Sequence, residues 1–126
     1  MAYVTVPWTA SHVPAANAQA TVTKAAAGVG ARNVCTSLTV VLAATPTAPT
    51  AVNLEVNLID GASGGATYLW RATISLPATA GAMSGIALSG LEIVGTANVA
   101  MTLETSGAPG ANIVASVSMS GVVSTD

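Results

Sequence analysis

Val52-Asn-Leu-Glu-Val-Asn-Leu58 decides how this chain is read: Val52, Leu54, Val56 and Leu58 point one way, and Asn53, Glu55 and Asn57 point the other. A strict period of two marks a strand with one face on a core, because successive side chains leave a pleated backbone on opposite sides. Asp60-Gly61 then opens a turn that extends through Ser63-Gly64-Gly65, with Asp60 placed to cap its own loop. A second alternating run follows, in which Tyr68, Trp70, Ala72, Ile74 and Leu76 oppose Thr67, Leu69, Arg71, Thr73 and Ser75. Two alternating runs around a loop containing Asp-Gly predict a long-looped hairpin.

The same pattern extends outward in both directions. Upstream, Thr21 to Thr23 is β-rich. Asn33 to Leu42 alternates, with Val34, Leu38, Val40 and Leu42 on one face and Cys35, Ser37 and Thr39 on the other. Ala43 to Pro49 is a proline-punctuated connection. Downstream, Ile86 and Leu88 form a short run, Gly90 breaks it, and Leu91 and Ile93 flank Glu92. Val99, Met101 and Leu103 face away from Thr102 and Glu104, and Ile113, Ala115, Val117 and Met119 face away from Ser116, Ser118 and Ser120. These runs amount to about eight strands of ordinary length. Their connections are too short for crossover helices, which makes the order antiparallel. The expected fold is all-β: an antiparallel two-sheet sandwich of jelly-roll or immunoglobulin-like type. Its core is drawn from Val, Leu, Ile, Met and Ala, with Trp70 or Tyr68 as the largest pieces.

The first residues read differently. Pro7 and Pro14 argue against a helix and against a central strand. Residues 1–18 are therefore expected to form an extended N-terminal arm, and residues 19–126 the β-sandwich domain. The alanine run from Ala15 is the one place that could hold a helical turn. Tyr3, Val4, Val6, Trp8 and His12 are the candidate interface residues. Trp8 is the anchor among them, since Trp and Tyr concentrate interface energy; the competing reading folds Trp8 back onto the edge of its own domain.

Composition narrows the function classes. Only 6% of the chain is charged, against roughly a quarter for an ordinary soluble domain, while 52% is hydrophobic. A surface of Ser, Thr, Asn and Ala is poorly defended against association, so it is expected to be covered by copies of itself or by a larger assembly. Three basic residues and a net charge of −2 give no electrostatic case for nucleic acid. A long uncharged stretch, Asn33 to Leu54, contains Pro46 and Pro49 and alternates, so no membrane span is expected. The first eight residues lack the basic and apolar regions of a signal peptide, and cytoplasmic synthesis is expected.

Catalytic equipment is sparse. His12 is the single histidine and Cys35 the single cysteine, so no intrachain disulfide can form. The five acids show no metal-ligand spacing. Glu55 and Glu104 sit on polar strand faces, where a solvated carboxylate is the default. Neither Gly28-Val-Gly30 nor the run from Gly61 to Gly65 has the spacing of a phosphate loop. The expectation is a non-enzyme with no cofactor, no metal site and no small-molecule substrate.

Three motifs follow one another in the order of a known family: Arg-Asn-Val-Cys-Thr-Ser over 32–37, Leu58-Ile-Asp-Gly-Ala-Ser-Gly64 running to Leu69-Trp70, and Ser89-Gly-Leu-Glu-Ile-Val-Gly95 running to Ala100-Met-Thr-Leu103. In this series the chain resembles the small virion proteins of tailed bacteriophages that decorate or cement the head. The resemblance covers about four-fifths of the chain and rests on turn and strand chemistry. It implies a β-sandwich that self-associates as a homodimer or homotrimer and binds the major capsid protein on the capsid exterior, with no active site. Similar composition recurs in phage tail and fibre modules for receptor or carbohydrate binding, which is the alternative. The first eighteen residues lie outside the resemblance.

Overall fold

The computed structural model describes residues 6–125. Nine strands form two antiparallel sheets packed face to face, and there is no helix among the described residues. The strands are β1 (Val6–His12), β2 (Thr21–Lys24), β3 (Arg32–Ala44), β4 (Val52–Asp60), β5 (Tyr68–Leu76), β6 (Met83–Leu88), β7 (Ile93–Val94), β8 (Met101–Thr105) and β9 (Ile113–Ser124). One sheet, called A here, runs β1-β9-β3-β6, with the short β7 also paired to β3; the other, B, runs β2-β8-β4-β5.

The core lies between the sheets. Leu38, Val40, Leu42, Val117 and Met119 from A meet Leu54, Val56, Leu58, Met101 and Leu103 from B, all at most 6% exposed. These are the alternating apolar positions of the sequence, which is why the strands form where the pattern places them. The hairpin from Val52 to Leu76 is present as β4 and β5, closed by the loop from Gly61 to Thr67.

The N-terminal segment departs from a free arm. Val6–His12 is extended, but it is the edge strand of sheet A, paired residue by residue with β9 from Val6↔Val123 to His12↔Val117. The boundary expected at residue 18 therefore does not separate residues 6–18 from the sandwich. Prolines exclude a central strand but tolerate an edge, and Pro7 sits on one. The alanine run holds a turn, with Asn17 in the left-handed region at φ 60°, a conformation Asn tolerates better than most residues.

Two bulges overturn the face assignments made from alternation. In β3 the register to β9 shifts between Cys35 and Ser37, leaving Thr36 as the extra residue. Cys35 consequently joins the core while Val34, paired with Val94 and Val122, lies outside the main cluster. In β5, Trp70 pairs with Leu58 but Tyr68 pairs with Ile59, so Leu69 is extra. Trp70 packs against the core, whereas Tyr68 is carried to the outer face of sheet B and is 41% exposed. A bulge puts two residues opposite one and so reverses the facing of everything beyond it.

Candidate functional site

The two outer faces of the sandwich differ chemically. Sheet B carries the polar groups. Arg71 is ion-paired with Glu55, its Nε donates to Asn57 Oδ1 at 3.1 Å, and its guanidinium lies 4.2 Å from the centroid of the Tyr68 ring. The hydrogen bond from Arg71 holds the Glu55 carboxyl below the usual carboxylate range.

Glu104, on a polar strand face where solvent is the default, is instead 4% exposed. Its carboxylate accepts from Thr21 Oγ1 (2.8 Å), Ser63 Oγ (2.5 Å) and the Gly64 backbone N–H (2.9 Å). The β4–β5 loop thus folds back over the outer face of sheet B, and Thr102 Oγ1 donates to the Gly61 carbonyl beneath it at 2.8 Å. This explains why all five residues of β8 are buried: one face meets the core and the other meets the loop. Asp60 likewise does not cap its own loop. It accepts from Thr96 N at 3.1 Å and Thr96 Oγ1 at 2.5 Å, tying the end of β4 to the segment before β8. Both carboxylates are engaged structurally.

The sequence-derived interface residues divide as follows. Tyr3 and Val4 lie outside the described residues. Val6 is exposed at the start of β1. Trp8 faces inward, packing against the core opposite Gly121, where a Cβ would overlap the Val34 carbonyl and come within 2.7 Å of Trp8 Cζ2. Trp8 thus folds onto its own domain. His12 Nδ1 accepts from the Thr21 backbone N–H at 3.1 Å, which places the neutral ring's proton on Nε2 and links the edge of sheet A to the edge of sheet B. The bond also occupies an edge amide that would otherwise be open to another chain. Among the described residues, no three His, Cys, Asp or Glu side chains are grouped to hold a metal ion.

Sheet A presents the opposite character outward. The outward strand positions from the Pro7–Val122 row to the Val114–Ala43–Met83 row are Ser, Thr, Val, Ala, Gly, Pro and Met, and none is charged. At the β3–β6 side, Thr39, Val41, Met83, Gly85, Ile86 and Ala87 line an open, shallow cleft of about 200 Å³. Met83 is 73% exposed beside it. Gly85 is among them at a position that excludes a side chain, since a Cβ there would stand 2.7 Å from the Val40 carbonyl. Sequence reasoning passed over Met83 and Gly85. A glycine inside a strand, next to an unpatterned methionine, is the signal that marks them.

No family model, curated protein or solved structure matches this chain.

Proposed function

We propose that this chain is a non-catalytic structural virion protein. In this reading it is a jelly-roll cement or decoration subunit that binds the major capsid protein on the outside of a phage head and bridges neighbouring capsomers. The supporting observation is the strand order. The pairs β1–β9, β2–β8, β3–β6 and β4–β5 are nested, and they fall alternately into sheets A and B. A single antiparallel ribbon rolled into two sheets has this pattern. An immunoglobulin-like sandwich would instead group its first, second, fourth and fifth strands in one sheet.

Jelly rolls serve both as viral capsid domains and as lectins, so the function is argued from the surface. An outer face of sheet A without charge from the Pro7–Val122 row to the Ala43–Met83 row suits broad contact with similar faces. Weak contacts repeated over a symmetric lattice become tight by avidity, and binding only the assembled shell stabilises it by mass action. The protein would be synthesised in the bacterial cytoplasm and reside on the capsid exterior.

Co-sedimentation with matching virion heads tests the proposal. The chain is expected to pellet with heads at a fixed stoichiometry and to raise their disruption temperature. A chain left in the supernatant overturns the reading. Replacing Tyr3 and Val4 by Ala tests the part assigned to the N-terminus, with weakened pelleting expected and unchanged pelleting against it.

The alternative, a tail or fibre module for receptor or carbohydrate binding, draws on the exposed Tyr68 beside Arg71 on sheet B. Against it, Arg71 already occupies a face of the Tyr68 ring. Glycan binding lost in Tyr68→Ala would favour it.

A further inference from the structure

We infer that the outer face of sheet A is a self-association surface, and that its occupant is the same face of a second copy of this chain. The inference rests on the self-association part of the reading above and not on the capsid.

Charge selects the occupant. Charged groups pressed against this face would lose water and find no ionic partner. A suitable partner surface is therefore uncharged, and such a surface is present on every copy. In a two-fold contact each residue meets the partner's counterpart set, so like charges on one patch repel across the axis. Here there are none between the Pro7–Val122 and Ala43–Met83 rows; Arg32 lies one row beyond Val122, at the far end of the face from Met83.

Shape points the same way. The face carries both a projection and a recess. Met83 is 73% exposed at the rim of the cleft that it lines with Val41, Gly85 and Ala87. The cleft holds several times the ~30 Å³ share of one water molecule, enough for a side chain. A two-fold axis through this region seats each Met83 in the other copy's cleft, and methionine adapts to irregular recesses. The 31 strand residues in these rows (β1 Pro7–His12, β3 Val34–Ala43, β6 Met83–Leu88 and β9 Val114–Val122), at about 4.8 Å by ~3.3 Å each, give roughly 500 Å² of flat area. Side-chain relief brings this near the ~600 Å² per partner at which specific interfaces begin.

The experiment is sedimentation equilibrium of the full chain without phage particles, on the natural sequence and on Ser118→Lys, Ala87→Glu and Thr73→Lys. Ser118 and Ala87 are exposed on this face, while Thr73 is exposed on the outside of sheet B. The natural chain is expected at twice its 12.2 kDa mass. S118K and A87E should each weaken the dimer by about 100-fold with unchanged circular dichroism, as buried unpaired charges do, and T73K should leave it as it is. A natural chain that stays monomeric to roughly 100 µM overturns the inference. So does an oligomer that S118K and A87E leave intact, or one that T73K weakens equally. Because no capsid is present, failure here is distinguishable from failure to bind heads.

Discussion

Arg71 lies over the Tyr68 ring although the two are three residues apart in one strand. In a regular strand, positions separated by three face opposite sides. The extra residue Leu69 reverses that relation: Tyr68 pairs with Ile59 and Arg71 with Asn57, two β4 positions on the same face. The bulge therefore creates the contact and aims Tyr68 outward. A double-mutant cycle of Tyr68→Leu and Arg71→Gln should give a coupling of about 0.5–1 kcal/mol in urea melts, the value for an exposed cation–π pair.

Gly121 lies in β9 between Trp8 of β1 and Cys35 of β3. Gly121→Ala is expected to cost at least ~3 kcal/mol, because its methyl would overlap the Val34 carbonyl in a strand with no room to shift. Trp8→Ala, which removes the ring above Gly121, should cost about 2–3 kcal/mol, below the value for a fully buried Trp. Denaturant unfolding followed by circular dichroism reads both.

Removing residues 1–12 would strip β1 from β9 and expose the unpaired edge of a twelve-residue strand. Such a protein should aggregate or melt well below the full chain. A monomeric product with unchanged Tm would show that β1 is dispensable.

Glu104 holds the β4–β5 loop down. Glu104→Gln replaces an acceptor of three hydrogen bonds with a group that brings its own donors toward Ser63 and Thr21. A loss of about 2–4 kcal/mol is expected, against about 1 kcal/mol for Ser63→Ala. Amide exchange at Gly64 should rise more in Glu104→Gln than exchange in β9.

The pH response divides between two groups. Arg71 depresses the Glu55 pKa in the folded protein, so its stabilisation is complete above the unfolded value and is lost as pH falls through the folded one, below the ordinary carboxylate range. Both partners are exposed, so the effect should be small, should fade in 1 M salt and should vanish in Glu55→Gln. Burial raises the Cys35 thiol, against a weaker opposing hydrogen bond to the Ser37 carbonyl. A raised pKa acts in the other direction: its stabilisation is present below the unfolded value and is lost as pH rises through the folded one. Native Cys35 should react with thiol reagents only as fast as the sandwich opens, and at once in denaturant.

The sequence by itself determined which stretches are strands and what fills the core. Both follow from local alternation, as in Val52 to Leu58, and every strand from β2 to β9 begins within a few residues of a readable run. It also determined the shortage of charge that leaves the outer face of sheet A neutral between the Pro7–Val122 and Ala43–Met83 rows. Only the tertiary structure decided the rest. Pro7 and Trp8 look like a free arm until β9 offers an edge to pair with. Glu104 looks solvated until a loop forty residues earlier in the chain folds over it. Cys35 and Tyr68 change faces because bulges at Thr36 and Leu69 slip the register by one residue, and a bulge is a property of two paired strands rather than of either one. Alternation reports the period of a strand, while facing, edges and caps depend on which distant strand lies alongside.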